Sequence, residues 1–264
     1  MHRTGHILLL HHSEGERMRY VADWFGAGVT NEDKLIYVDV AGRGAGTLTA
    51  ELAARGFRTD RAVRDKRLEF VSLEHLLDVG VGEGSCQRAL QAAGFSGVRL
   101  AVRSDAVAGR LDPDAYRALE ERLARMCRQS RVSVLCQYDG RTTGADQLSV
   151  ALGLHPDWVY ASDVSLLHRN HVIQVEGVLS TPNADLLARS LSRMTLDLGT
   201  DKVLALDLRQ ADALTPGACQ ALLDGTRDYR ERGGRVRCGL PPGGDWGRVL
   251  SHLLAPEDDR FELA

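Results

Sequence analysis

Short apolar runs alternate with amphipathic segments along residues 6–153, and this alternation constrains the fold more than any other feature of the sequence. The apolar runs are nearly continuous, which is typical of strands buried on both faces of a sheet. The segments between them repeat apolar residues at the i, i+3, i+4, i+7 spacing of a helix face. Strands are predicted at 6–10, 34–40, 68–73, 98–103 and 132–139. Helices are predicted at 14–29, 47–56, 84–95, 112–129 and 144–153.

Alternating strands and helices predict an α/β domain with a parallel sheet and helices on both of its faces. Two helix ends carry specific signals. Asp112 and Pro113 are typical of an N-cap and a first helical position, and Gly56 is typical of a C-cap. The pattern changes near residues 158–168, which predicts two domains, 1–163 and 168–264.

The second predicted domain is a smaller α/β unit, long enough to bury a core of its own. Its strands are predicted at 171–180, 202–208 and 235–240. Its helices are predicted at 182–198, 217–232 and 245–255.

Charge and composition exclude several classes of protein. The net charge is −3, so no overall basic field favours nucleic acid. No apolar run approaches the roughly 20 residues that a membrane helix needs, and the N-terminal stretch MHRTGHILLLHHSEGE lacks the features of a signal peptide. The five cysteines are widely spaced without a Cys-x-x-Cys pair, which favours a reduced, cytoplasmic compartment. Cys136, Cys219 and Cys238 lie in apolar runs and are expected in the core.

The turn after the first strand, within LLLHHSEGER, is the first candidate site. A phosphate-binding loop there would need several glycines and a lysine, but only Gly15 is present, and Glu14 and Glu16 would repel an anion. Because ligands bind at strand ends in open α/β sheets, His11, His12 and Glu14 are candidates for a ligand pocket, with His6 as a further candidate. The alternative is a solvated turn with two ordinary histidines. His11, His12 and Glu14 could also ligate a metal ion, but no further ligand cluster supports this, and neither metal nor cofactor is expected.

Two further strand ends carry candidate ligand-binding residues. The segment AGRGAGT at 41–47 combines three glycines with Arg43, as in a backbone nest for an anion, although tight turns alone also need glycine. The segment LCQYDGR places Tyr138, Asp139 and Arg141 at the end of a buried strand. These three side chains either face a ligand or fix the loop through backbone N–H groups.

Two stretches of the first domain resemble the MEDS domain, the methanogen/methylotroph sensory domain. GHILLLHHSEGERMRYVADWFGAGVTNEDKLIYVDV contains a strand, an acidic turn, a helix and a strand, and corresponds to a family segment that begins His-x-x-x-x-x-Tyr/His. VLCQYDG, followed by LHP, corresponds to the family's Cys-x-Tyr-Asp segment. The resemblance implies a RecA/KaiC-like fold that lacks the nucleotide loop, and a role in sensing a small molecule.

Residues 168–264 resemble the STAS domain of anti-sigma factor antagonists and sulfate transporters. VIQVEGVLSTPNADLLARSL is similar to the family's opening strand and helix. VLALDLRQADALTPGACQALL is similar to its phosphorylation motif, in which Asp207 matches the first Asp and Thr215, Pro216 and Gly217 fall on Asp-Ser-Ser. The second Ser accepts phosphate in that family, so glycine at this position implies that the usual serine switch is absent. Thr215 is the alternative acceptor.

Together the resemblances imply a cytoplasmic bacterial signalling protein that binds a partner such as an anti-sigma factor or kinase. The first domain would bias this binding through a small-molecule ligand or through homodimer contacts. No Ser-His-Asp arrangement, paired carboxylates or nucleophile elbow appears, so no enzyme is expected. The alternatives are a nucleotide-binding protein or enzyme on a RecA-like core, which needs a phosphate cradle that the sequence lacks, and a scaffold that senses nothing.

Overall fold

The computed structural model describes residues 4–40, 44–74, 94–160, 164–243, 245–254 and 258–264. Within it the chain divides into two compact units, Met1–Gln147 and Leu148–Ala264. Arg43 and most of the predicted helix at 84–95 lie outside the described residues. The domain limits of 1–163 and 168–264 stay a prediction from the sequence.

The sheet of the first unit is parallel throughout. Its strands are β1 (His6–His11), β2 (Lys34–Asp39), β3 (Leu68–Ser72), β4 (Val98–Arg103) and β5 (Val132–Asp139). They lie side by side in the order β1-β5-β4-β2-β3, and each neighbouring pair is parallel. The predicted α/β class is therefore confirmed, and each of the five predicted strands is present.

The helices of the first unit bear out the sequence signals at their ends and on their buried faces. They are α1 (Glu14–Thr30), α2 (Ala45–Ala54), α3 (Thr59–Arg64), α4 (Ser104–Ala108) and α5 (Pro113–Gln129). The Asp112 side chain accepts hydrogen bonds from the first-turn N–H groups of α5, as predicted for an N-cap. Gly56 follows α2 with a φ of +80°, a conformation that favours glycine. The short helices α3 and α4 were not predicted.

Helices cover both faces of this sheet. Successive side chains of a strand point to opposite faces, so contacts made by two adjacent residues of β5 show which helix lies on each face. Gln137 of β5 receives a hydrogen bond from Arg17 of α1. The next residue, Tyr138, donates a hydrogen bond to Glu120 of α5. Helices α1 and α5 therefore lie against opposite faces, as the sequence predicts.

The second unit has a mixed sheet. Helix α6 (Ala145–Leu154) contains the division between the units. The strands that follow are β6 (Asp157–Tyr160), β7 (Val164–Arg169), β8 (Val172–Val178), β9 (Val203–Ala213), β10 (Arg235–Gly239) and β11 (Phe261–Leu263). Neighbours from β6 to β8 pair antiparallel, and neighbours from β8 to β11 pair parallel. Strands β6, β7 and β11 were not predicted, and β9 runs five residues past the predicted end of 202–208.

Two predicted helices of the second unit have different limits in the structure. Its helices are α7 (Thr181–Thr195), α8 (Pro216–Gly225), α9 (Arg227–Glu231) and α10 (Trp246–Leu253). The single helix predicted at 217–232 is broken at buried Thr226, whose hydroxyl donates to the Leu222 carbonyl at 2.8 Å and marks the end of α8. The helix predicted at 182–198 ends at Thr195. Among the described residues, no helix is both long and apolar enough to cross a membrane.

Candidate functional site

The carboxyl ends of β1 and β5 bring two of the predicted site residues together. His11 and Asp139 end these strands and are partners in the β1–β5 register. The Asp139 carboxylate accepts from the Arg141 guanidinium at 3.0 and 2.7 Å and from the Arg141 backbone N–H at 2.9 Å. These hydrogen bonds hold the pKa of Asp139 well below its usual value. Asp139 is thus ionised and fixes the loop that follows β5.

His11 is a neutral, deeply buried histidine. The residue is only 2% exposed. Burial, reinforced by the positive charge of Arg17, lowers its pKa to about 4. Neither ring nitrogen has a hydrogen-bond partner among the residues that the structure describes. A buried imidazole of this kind is a candidate to bind a small polar group.

Arg17 of α1 is the central residue of this site, and sequence analysis missed it. Its guanidinium donates to the Tyr37 hydroxyl at 2.9 Å and to the Gln137 side-chain oxygen at 2.6 Å. It also forms a bidentate ion pair with Glu14, with one contact at 3.0 Å. Arg17 is 2% exposed, whereas most arginines of helices are solvated.

The sequence does contain one signal for Arg17. Val21 and Trp24 follow it at the i+4 and i+7 positions and are fully buried, so Arg17 occupies the buried stripe of α1. A charged residue on such a stripe needs partners from other elements. The pattern alone does not identify those partners.

The turn before α2 approaches this site closely at one of the three predicted nest glycines. Gly44 lies against the Tyr37 hydroxyl, and a Cβ at Gly44 would clash with that hydroxyl. Gly46, by contrast, has open space around the Cβ position. Arg43, the charged residue of the predicted nest, lies outside the described residues.

The N-terminus of α1 is capped by side chains of its own turn. Ser13 accepts from the Glu16 backbone N–H at 3.2 Å, and Glu16 in return accepts from the His12 backbone N–H at 3.0 Å. This reciprocal arrangement resembles a capping box. Two backbone donors of this turn, the N–H groups of His12 and Glu16, are therefore bound to a carboxylate and a hydroxyl.

Tyr138 belongs to a different cluster, on the opposite face of the sheet from Asp139. Its hydroxyl donates to Glu120 of α5 at 3.1 Å and contacts the Tyr116 hydroxyl. The same carboxylate lies 3.1 Å from the Nε2 atom of His6 and 3.6 Å from the sulfur of Cys136. The sequence grouped Tyr138 with Asp139, but the alternation of side chains along β5 separates them.

The charged side chains around Arg17 and Asp139 form ion pairs with one another. Arg17 pairs with Glu14, and the hydrogen bonds from Arg17 lower the Glu14 pKa. Arg141 pairs with Asp139, and at the end of β4 the Arg103 guanidinium contacts Asp105 at 2.7 Å. Two neutral groups at these strand ends have no hydrogen-bond partner among the described residues: the His11 ring and the side-chain nitrogen of Gln137.

In the second unit, the predicted phosphorylation turn is a helix cap. Thr215 is the N-cap of α8, and its hydroxyl oxygen accepts from the Ala218 backbone N–H at 3.2 Å. Pro216 occupies the first helical position and Gly217 the second. Asp207 of β9 forms a bidentate ion pair with Arg209 at 2.8 and 2.7 Å. The turn thus has one hydroxyl, and the helix uses that hydroxyl as its cap.

Comparison with protein families decides the nature of the first unit. The profile described as MEthanogen/methylotroph, DcmR Sensory domain matches residues 5–156, more than half of the chain. The chain belongs to the MEDS family. The predicted MEDS resemblance is confirmed, and the MEDS match contains both polar clusters at the β1–β5 pair. No such match supports the STAS resemblance, which stays a prediction.

Comparison with solved structures finds similar chains of low sequence identity. The flagellar accessory protein FlaH from Methanocaldococcus jannaschii is 8% identical with a TM-score of 0.43, and a KaiC-like protein from Pyrococcus horikoshii OT3 is 13% identical with the same TM-score. Each alignment covers 66% of this chain and 78% of the other. A search of curated proteins finds no significant sequence match.

Proposed function

We propose that this MEDS protein is a cytoplasmic signalling protein without enzymatic activity, in which a sensory site regulates the binding of a protein partner. The site lies at the carboxyl ends of β1 and β5 and takes a small uncharged molecule. Residues 168–264 form a STAS-like domain that binds a component of an anti-sigma factor pathway. The observation that carries the sensory part is the buried, neutral His11 beside an arginine already paired with Glu14.

The preference for an uncharged ligand follows from the ion pairs. A charged ligand would have to displace Glu14 from the buried Arg17 guanidinium or Arg141 from the mostly buried Asp139 carboxylate. An uncharged molecule leaves these pairs intact. It can still use the His11 ring and the Gln137 amide as hydrogen-bonding groups.

The order of elements in the second unit supports the STAS-like assignment. Strand β8 is followed by α7, β9, helices α8 and α9, β10, α10 and β11, with parallel pairing from β8 to β11. The turn that aligns with the family's phosphorylation motif stands where the resemblance requires it, between the end of β9 and the start of α8.

Partner binding in this proposal does not depend on serine phosphorylation. Gly217 has no hydroxyl, and the Thr215 hydroxyl caps α8. A phosphate on Thr215 would add about −1.5 to −2 charge beside the partner surface. The unmodified turn is therefore the form that binds, and regulation comes from the MEDS domain through a ligand that prefers one state of the protein.

A pair of charge reversals tests the partner surface. Asp212 is exposed and lies shortly before the turn that leads into α8. Asp197 is also exposed, but it lies just after the C-terminal end of α7. We expect the full-length chain to capture an anti-sigma factor or kinase from cells of its host, identified by mass spectrometry. Asp212→Arg should lower the recovery at least tenfold, whereas Asp197→Arg should not.

Equal recovery by the two variants, or recovery of no protein of that class, contradicts the STAS-like assignment. The same preparations report on modification, since intact mass resolves a single phosphate. We expect no phosphate on the wild-type chain. A phosphate on Thr215 that accompanies loss of the partner would overturn the unphosphorylated mechanism.

A further inference from the structure

A buried cluster of His6, Glu120 and Cys136 is not used by the proposed sensory site. The three residues are 4%, 1% and 0% exposed. The His6 Nε2 atom lies 3.1 Å from Glu120 Oε2 and 3.4 Å from Cys136 Sγ, and the sulfur lies 3.6 Å from the same carboxylate oxygen. One imidazole, one carboxylate and one thiol thus direct three metal-binding atoms at one point.

The spacing of these atoms fits a tetrahedral metal ion. Zinc binds imidazole nitrogen and carboxylate oxygen at about 2.0–2.2 Å and thiolate sulfur at about 2.3 Å, which places pairs of tetrahedral ligands about 3.3–3.6 Å apart. The three separations in the cluster, 3.1, 3.4 and 3.6 Å, match those edges within a few tenths of an ångström. His6, Glu120 and Cys136 can therefore supply three positions of one tetrahedral ion without rearrangement of the backbone.

Neighbouring groups hold the three ligands in place. His6 and Cys136 lie on adjacent parallel strands, with Cys136 opposite Leu8 in the register, so both side chains point to the α5 face. The second oxygen of Glu120 accepts from the Tyr138 hydroxyl at 3.1 Å, and Tyr138 contacts Tyr116 in turn. Such outer hydrogen bonds orient metal ligands and strengthen metal binding in known sites.

The donor types also select the class of metal. A mixture of thiolate, imidazole and carboxylate suits zinc and similar divalent transition metals, whereas magnesium and calcium prefer oxygen ligands alone. We propose that His6, Glu120 and Cys136 bind one Zn²⁺ ion within the MEDS domain.

Binding requires the thiolate form of Cys136. The thiol loses one proton to solvent, and sulfur, the neutral His6 ring and ionised Glu120 each donate an electron pair to the ion. No oxidation or reduction is involved. The inference is independent of the ligand and partner proposed above, because it concerns the opposite face of the β1–β5 pair.

The test uses the full-length chain, purified from zinc-supplemented medium and then loaded with Co²⁺ after removal of its metal. We expect about one zinc per chain by mass spectrometry of the elements. The cobalt form should show a thiolate-to-metal charge-transfer band in the near ultraviolet. Cys136→Ser should abolish that band and lower zinc affinity at least tenfold. Cys238→Ser, which alters a buried cysteine of the second unit, is the control and should change neither.

Tyr138→Phe provides a second variant that keeps all three ligands. Loss of the hydrogen bond to Glu120 should weaken zinc binding roughly tenfold while the cobalt band persists. A wild-type chain that holds no stoichiometric zinc and gives no thiolate band overturns the proposal. So does a band that survives in Cys136→Ser. Should that variant fail to fold, the wild-type spectrum and Tyr138→Phe decide the question.

Discussion

At the scale of single residues, His11 makes the stability of the protein depend on pH. Its pKa is about 4 in the folded chain and 6.5 when unperturbed, so between these values the unfolded chain binds a proton that the folded chain does not. The stability that the neutral His11 ring contributes is therefore fully present above pH 6.5, and it is lost as the pH falls toward 4. From pH 7 to pH 5 the expected loss from His11 alone is about 2 kcal/mol.

The measurement is the free energy of unfolding in urea at pH 7 and pH 5. His11→Gln keeps a polar side chain but cannot titrate, so the difference between the two pH values should shrink by about 2 kcal/mol in this variant. His252 is exposed, and His252→Gln serves as the control that retains the wild-type dependence. An unchanged pH dependence in His11→Gln would show that His11 titrates normally.

At the scale of elements, the close approach of the α2 turn to β2 gives a prediction with a built-in control. A methyl group at Gly44 would meet the Tyr37 hydroxyl, which is buried and held by Arg17, and would also stand 3.1 Å from the Met18 methyl group. We expect Gly44→Ala to lower the free energy of unfolding by about 1–3 kcal/mol. Gly46→Ala has room and lies inside α2, so it should raise stability by about 0.5 kcal/mol.

Urea denaturation at pH 7 gives the free energy of unfolding of both glycine variants. Binding of a ligand at the Arg17 site should suffer in Gly44→Ala as well, because displacement of Tyr37 removes one hydrogen bond of the guanidinium. Equal effects of the two substitutions would mean that the α2 turn does not rest on Tyr37.

The sequence predicted the helices that have clear capping residues and the strands that have continuous apolar runs. Helix α5 was anticipated from Asp112 and Pro113, and the five parallel strands from their continuous apolar runs. Strand β6 was missed because it has only four residues, and β7 was missed because it pairs antiparallel with partners that no periodicity reveals. The break at Thr226 was missed because a threonine within a helical pattern gives no stop signal of its own.

The candidate site was predictable only where sheet geometry dictates it. The ends of parallel strands meet at one edge, which was enough to place His11 near Asp139. Arg17 was missed because its partners, Tyr37 and Gln137, are 20 and 120 residues away. The cluster of His6 and Cys136 was missed for the same reason, since these residues are 130 positions apart.

At the scale of the whole molecule, the two units share one arrangement. In each, a helix begins directly after a strand, where other α/β proteins bind phosphate. The chain's own side chains bind these helix ends: Ser13 and Glu16 at α1, and Thr215 at α8. Both ends therefore favour recognition of uncharged molecules or protein surfaces over phosphate chemistry.

This arrangement predicts that the full-length chain does not bind nucleotides. Calorimetric titration with ATP and Mg²⁺ should show no binding below a Kd of about 1 mM, which corresponds to about 4 kcal/mol of binding free energy. The physical reason is the carboxylate of Glu16, which holds the His12 backbone N–H that a phosphate would need and repels the phosphate as well.

Glu16→Ala is the informative variant for the nucleotide titration, because it releases that N–H group and removes one negative charge from the turn. Any weak affinity for ATP should therefore rise in this variant, whereas Arg141→Ala, which frees the negative charge of Asp139 nearby, should not raise it. A micromolar Kd in the wild-type chain, accompanied by release of phosphate, would instead establish an enzyme on this sheet. In that case the caps of α1 would have to open when nucleotide binds, and hydrogen exchange at Glu16 would speed up in its presence.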